Sequence, residues 1–262
     1  TPVTVQYISE LTDGKTYINS AVAINALFFD RPNPKTQAMN PAPAHRDYHA
    51  DCDNGYARLS WTGGSAAVKH HVMFGTSPDM MDEIAVTAES AHTVSNLTNL
   101  SEYFWRIDEE VADGTVYEGE TWSFRPRHLA FPGAEGYGRY AIGGRGGAVY
   151  HLTSLDDDPD NPLPGTFRYG ITKVSGPRTI VFDVSGYIEL KGRLICSDKY
   201  VTIAGQTAPG KGIILRGAPF GMNSDGITRF MRIHRGYAAT EAEQNKGLDG
   251  FGIAGGDHAI MD

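Results

Sequence analysis

From Gly143 to the last residue, no stretch of ten residues carries the 3.6-residue apolar period of an amphipathic helix. Short β-branched or apolar runs recur instead, each broken by Gly, Asn or Asp. They fall at Ala148–Leu152, 179–184, 187–190, 200–204, 212–215, 228–233, Phe251–Ile253 and 259–261. A doubly wound α/β domain is disfavoured, because its parallel strands need helical crossovers. Val201, Phe230 and Ala259 sit 29 residues apart, inside the roughly 20–50-residue spacing of solenoids. A parallel β-helix meets these requirements. Each coil gives short strands to stacked sheets, and glycines take the turns. Strand alternation then points Val201, Ile203, Met231 and Ile233 inward as stacked ladders. Periodicity by itself also leaves an irregular β-sandwich open.

Glycine divides the chain. Seven lie in residues 1–127 and 24 in residues 128–262. Charge divides at the same place: the first part holds 9 Lys+Arg against 17 Asp+Glu, and the second holds 14 of each. This shift predicts two domains joined near residues 125–128. Residues 46–127 form the first, residues 128–262 the second, and residues 1–45 an extension or linker. Within that extension, residues 30–43 hold four prolines and read as an extended connection. Residues 22–29 read equally as a strand or a short helix. The N-terminus shows no basic stretch ahead of an apolar one, so a signal peptide is expected to be absent or already removed.

Residues 46–125 read as all-β. Strands are expected at 56–61, 70–75, 93–100, 103–109 and 120–124, with a turn at Ala112-Asp113-Gly114-Thr115. Short strands at this spacing fit a small sandwich. The motifs Leu59-Ser60-Trp61, Val72-Met73-Phe74-Gly75-Thr76, Leu100, Tyr103-Phe104-Trp105-Arg106-Ile107-Asp108 and Thr121-Trp122-Ser123-Phe124 resemble a fibronectin type III-like module. Such modules often precede catalytic domains of secreted bacterial polysaccharide-degrading enzymes. The resemblance therefore implies a secreted, periplasmic or cell-surface bacterial location. Trp61, Trp105 and Trp122 are expected in the sandwich core rather than on a sugar-stacking surface.

Several function classes are disfavoured. The formal charge of -8 argues against nucleic acid, whose phosphates need a basic face. No run of about 18 apolar residues is present, so no membrane-spanning helix is expected. Cys52 and Cys196 are the two cysteines, which rules out a disulfide scaffold and a cysteine-based zinc cluster. Gly143-Gly144-Arg145-Gly146-Gly147 lacks the Lys-Ser/Thr of a phosphate loop and reads as tight packing at the start of the coil. Asp156-Asp157-Asp158-Pro159-Asp160 lacks the spaced ligands of a calcium loop and reads as solvated. His70 and His71 face opposite sides of a strand and read as surface polarity.

From Ala130 onward an ordered set of motifs resembles the N-terminal half of a family-one pectate lyase. It opens with Phe131-Pro132-Gly133-Ala134-Glu135-Gly136-Tyr137-Gly138, Gly143-Gly144-Arg145-Gly146-Gly147-Ala148-Val149-Tyr150 and Pro164-Gly165-Thr166-Phe167-Arg168. It continues through Gly176-Pro177-Arg178-Thr179-Ile180-Val181-Phe182 and Val201-Thr202-Ile203-Ala204-Gly205-Gln206-Thr207. It closes with Met231-Arg232-Ile233-His234-Arg235-Gly236, Asp249-Gly250-Phe251-Gly252-Ile253 and His258-Ala259-Ile260-Met261-Asp262. The resemblance implies a right-handed parallel β-helix, here truncated at its C-terminal end, and calcium-dependent β-elimination of polygalacturonate. In that chemistry a base removes the C5 proton and O4 departs. Ca2+ between sugar and protein carboxylates neutralises charge and stabilises the developing carbanion.

Carried over by position, Asp249 is a metal ligand. Some members place a second aspartate where this chain has Gly247. Asp262 matches an aspartate that precedes a histidine in the family. Arg235 is a candidate for gripping a uronate carboxylate by paired hydrogen bonds. On a strand, Arg232 and His234 share one face and Arg235 takes the other. The family's catalytic arginine, substrate lysine and remaining calcium carboxylates map beyond Asp262. The resemblance thus implies a piece of a longer lyase, a second chain that completes the β-helix, or a non-catalytic carbohydrate-binding or adhesin-like β-helix. A pectin lyase acting on methylated polymer is a further alternative, against which Asp249 weighs.

Overall fold

A computed structural model describes residues 33–99, 101–236, 249–253 and 256–262. The expectations for residues 22–29, for Leu100 and for Gly247 lie outside the described residues.

The first part is a β-sandwich. One sheet has the order β1 (Met39–Ala42), β3 (Tyr56–Thr62), β6 (Ala91–Ser95). The other runs β2 (Asp47–Ala50), β9 (Trp122–Pro126), β7 (Tyr103–Val111), β4 (Ala67–Ser77), β5 (Met80–Thr87), with β8 (Val116–Tyr117) paired to β7. Alternation builds it. On β3, Ala57, Leu59 and Trp61 are buried while Tyr56, Arg58 and Thr62 face solvent. Trp105 lies at the centre, 4.7 Å from the Trp122 ring and 6.4 Å from Trp61, and all three tryptophans are buried as expected.

Three local readings need correction. The stretch read as an extended connection contains β1, which pairs with β3, and Ala38 is fully buried in the sandwich core. The period-2 pattern there is broken by prolines, so only the partner strand reveals the pairing. His70 is not surface polarity: it is buried, its Nδ1 hydrogen-bonds Glu109, and Trp61 meets its ring edge-on. Glu109 is fully buried, and its Oε1 accepts the Gly64 amide at 2.9 Å. A charge hidden by its own partner cannot be seen along one strand. Asp157 is likewise buried, accepting two hydrogen bonds from Arg168 at 2.7 and 2.8 Å, whereas Asp156, Asp158 and Asp160 of that loop do not share its burial.

The second part is a parallel β-helix. The first sheet has the order β10 (Ala148–Leu152), β11 (Arg178–Phe182), β14 (Val201–Ala204), β17 (Ile227–Arg229), β20 (Ile260–Met261). The second stacks β12 (Gly186–Glu189), β15 (Ile213–Arg216) and β18 (Arg232–His234). The third stacks β13 (Leu194–Ile195), β16 (Phe220–Met222) and β19 (Phe251–Ile253). All of these pairings are parallel. Three successive coils each give one strand to each sheet, with β10 and β20 extending the first sheet at its two ends, which removes the irregular-sandwich alternative.

The expected 29-residue alignment is not the register. Ile203 pairs with Thr228 and then Thr228 with Met261. Met231 lies between strands, and Ile233 belongs to the second sheet under Leu215. Loops of unequal length carry the coil, so equal spacing misassigns the sheet. The interior ladders are Ile180–Ile203, Ile188–Leu215–Ile233 and Leu194–Phe220–Phe251.

One short helix, α1 (Phe167–Thr172), abuts the coil. The Thr166 hydroxyl caps it by accepting the Tyr169 amide. Phe167 packs 5.3 Å from the Phe220 ring, so the helix contributes to the same core. The glycine-rich segment ahead of β10 crosses the outer face of the first sheet. There Ala130, Ala134 and Ala141 bury Ile227. A Cβ on Gly144 would overlap the Arg178 carbonyl oxygen, and one on Gly147 the Pro177 carbonyl oxygen. Tight packing accounts for Gly143, Gly144 and Gly147, as expected, whereas Gly146 has open space and a φ of +72°.

Candidate functional site

The glycine-rich segment covers the first sheet's outer face around Ile227, whereas the second sheet keeps an open one. Pleating turns Ile188, Leu215 and Ile233 inward and leaves two outward columns. One is Tyr187, Ile214, Arg232; the other is Glu189, Arg216, His234. Tyr187 is 56% exposed, enough ring area to meet a sugar. The Arg216 guanidinium lies 4.7 Å over that ring and bonds Glu189. Both partners of the ion pair are about half exposed, so it orders the surface more than it stabilises the fold. Arg232 donates to the Lys211 carbonyl. Parallel stacking thus aligns Arg216, Arg232 and His234 on one surface of an acidic chain.

Arg232 and His234 share the outward face, as the alternation predicted, and Arg235 follows the strand end. Its carbonyl accepts the Gly217 amide at 2.9 Å. The chain returns at Asp249, which is exposed. Gly250 then runs against this corner: a Cβ there would lie 4.0 Å from the Arg235 Cβ, and its carbonyl accepts the Phe220 amide at 3.0 Å. The fold therefore brings the neighbourhoods of Arg235 and Asp249 to one corner beside the outer ladder. Asp262, by contrast, is tied to Arg229 at 2.7 Å on the first sheet.

Calcium takes about 6–8 oxygen ligands. Among the described residues no three His, Cys, Asp or Glu side chains converge on a metal-sized site. Asp249 and its described neighbours do not make a calcium cage. Tyr187 and Arg216 went unnoticed in the sequence. Only the register of β12 on β15 puts them beside Arg232.

A second set of convergent groups lies where the sandwich meets the coil. His49 Nε2 of β2 stands 3.1 Å from Asp225 Oδ1, and its ring stacks on His258 at 4.0 Å. The hydrogen bond to Asp225 raises the His49 pKa against the opposing effect of burial. Tyr137 donates to Asp257 at 2.8 Å, which helps hold that carboxyl below its ordinary range. Arg127 bonds Asp53 and lies 4.6 Å over the Tyr140 ring.

The architecture defines a parallel β-helix protein preceded by a β-sandwich. No family model matches the chain. Over 136 residues it is 43% identical to a probable pectate lyase C of Emericella nidulans, covering 51% of this chain and 30% of that protein. Over 74 residues it is 47% identical to probable pectate lyase 12 of Arabidopsis thaliana, covering 28% of this chain and 15% of that one. A pectate lyase, PelI from Erwinia chrysanthemi, solved with tetragalacturonic acid, aligns over 67% of this chain and 58% of its own at 12% identity and a TM-score of 0.24, a likeness that carries no argument. The chain is pectate lyase-like over about half its length, and matches less than a third of these curated relatives. They are fungal and plant proteins and lend nothing to the expected bacterial source.

Proposed function

We propose that this chain is part of an extracellular polysaccharide lyase that cleaves polygalacturonate by β-elimination. The 43% identity to a probable pectate lyase over 136 residues carries the reading. The outer ladder suits such a substrate. A polyuronate presents a carboxylate on every ring, and Arg216 and Arg232 lie on one surface to meet them, with Arg235 just past the end of β18. Tyr187 offers its ring to a pyranose face. Withdrawal of the C5 proton creates a carbanion beside the C6 carboxylate. Guanidinium groups on that carboxylate lower its negative charge and so stabilise the developing anion. The C4–O4 bond then breaks and a C4–C5 double bond forms. No residue of this chain is assigned as the base. Asp249 as one calcium carboxylate, and the sandwich as a fibronectin type III-like module, belong to the same proposal.

The test is ultraviolet absorbance of the unsaturated uronate product, using protein that contains this chain with polygalacturonate or highly methylated pectin, with and without Ca2+. The expected result is turnover of the unmethylated polymer that a calcium chelator abolishes. Turnover of methylated pectin alone, indifferent to chelator, replaces the reading with a pectin lyase. Binding without product replaces it with a non-catalytic carbohydrate-binding protein.

A further inference from the structure

Between the sandwich and the first coil lies a cavity of about 260 Å³, remote in the topology from the outer ladder. Tyr48, Asn99, Glu102, Arg125, Pro126 and His128 line it from the sandwich side, and Ile142 and Arg145 from the coil side. Its charge is unbalanced. Arg125 Nη2 bonds Glu102 at 2.8 Å, which pairs one cation with the one acid of the lining. Arg145 has only carbonyl partners: Nη1 on Ala141 and Ile142, Nη2 on Leu129 and Ala130. Among the described residues no carboxylate neutralises it. Its Nε–H makes no hydrogen bond among the described residues, and a cation with no carboxylate beside it favours an incoming anion. His128 Nδ1 is also buried in the wall without a hydrogen-bond partner among the described residues.

Shape narrows the anion. The volume lies just under the ~300–1,000 Å³ of small-molecule pockets, so it suits one or two sugar rings rather than a bare inorganic ion. Tyr48, Pro126 and Ile142 provide apolar wall, and Asn99 provides hydroxyl partners. Arg125 is held 4.8 Å over the Tyr48 ring, so little side-chain freedom remains to be lost on binding.

We propose that this seam cavity is a second saccharide site, which takes a uronate residue with its carboxylate towards Arg125 and Arg145. The saccharide part rests on the lyase reading, whereas the site itself stands on the cavity and its unpaired charge. A uronate bound here would hold the polymer to the enzyme away from the outer ladder and tie the sandwich to the coil.

The experiment is titration of the chain with galacturonate, digalacturonate, galactose and acetate, followed by nuclear magnetic resonance and calorimetry. Uronate is expected to bind, and galactose to bind at least about tenfold more weakly. Arg125→Gln is expected to raise the uronate Kd at least about tenfold, and Asn99→Trp, at the exposed mouth, to block it, both with unchanged thermal midpoints. Arg58→Ala, on the solvent face of β3, is expected to leave it unchanged. Galactose binding as tightly as galacturonate overturns the proposal, as does acetate competing on equal terms, which would mean an anion hole only. Loss of binding in Arg232→Ala but not in Arg125→Gln or Asn99→Trp also overturns it, by placing the uronate on the outer ladder, and leaves the lyase reading standing. The lyase reading fails separately, on absence of unsaturated product.

Discussion

Arg178 shows how one side chain closes the start of the coil. It is fully buried on β11, and its guanidinium donates to the carbonyls of Gly170, Ile171 and Gly176 and to Asp198 Oδ2 at 2.7–2.8 Å. Gly170 and Ile171 lie on α1, whose last carbonyls have no helical partner. Replacement by leucine strands those acceptors and leaves Asp198 without its cation. Arg178→Leu is expected to cost about 3–5 kcal/mol, read as a lower urea midpoint. A cost under about 1 kcal/mol would show that water satisfies the acceptors. The glycine run offers a sharper contrast. Gly144→Ala is expected to destabilise by several kcal/mol, because backbone rather than a flexible tip stands where the methyl would go. Gly146→Ala meets nothing within 4 Å and is strained only by its φ of +72°, a cost of about 1–2 kcal/mol. Equal losses in the two variants would refute the close-packing account.

At the scale of elements, the coil converts ordinary strands into a surface. No single strand carries more than two outward cations, yet stacking β12, β15 and β18 in register lines up Tyr187, Glu189, Arg216, Arg232 and His234. Arg232→Ala is expected to weaken polygalacturonate binding about tenfold, with a shallower salt dependence and an unchanged melting curve. Affinity and salt slope equal to the parent would remove the ladder from the binding surface. Asp249→Ala, in protein that contains this chain, is expected to reduce calcium-dependent turnover sharply and leave the fold intact. Equal turnover and equal calcium affinity would end Asp249's assignment as a ligand.

For the whole molecule, the seam decides whether sandwich and coil act as one body. His49 is the titratable link, and the groups facing it are Asp225, Asp47, Asp257, His258 and Tyr137. Its folded pKa is raised by Asp225, so the link is complete below about pH 6.5, the unfolded value, and is lost as pH rises through the folded value. Hydrogen exchange at the amides of 47–50 and 224–229 should therefore quicken as pH rises above about 6.5, beyond the intrinsic pH effect. His49→Gln should abolish that excess; an unchanged excess in the variant would assign the pH response to another group.

Much of this was legible along the chain. Local alternation announced Trp61, Trp105 and Trp122 as core, short glycine-punctuated runs without helices announced the coil, and Gly143–Gly147 announced close packing, because steric and hydrophobic preferences of neighbouring residues act without knowledge of the fold. The register was not legible. Val201, Phe230 and Ala259 are evenly spaced, but the loops that join the strands are not, and so Ile203 came to rest beside Thr228 rather than Arg232. His70 and Asp157 read as solvent-facing because Glu109 and Arg168, which bury with them, come from other segments. For the same reason Arg235 and Asp249 could be named from the sequence, while Tyr187, Arg216 and the Arg145 cavity could not. Composition and pattern fixed what kind of strand each segment makes. Which strands stack, which face stays open and which charge is left unpaired depend on contacts between residues far apart in the chain, and those only the tertiary structure decided.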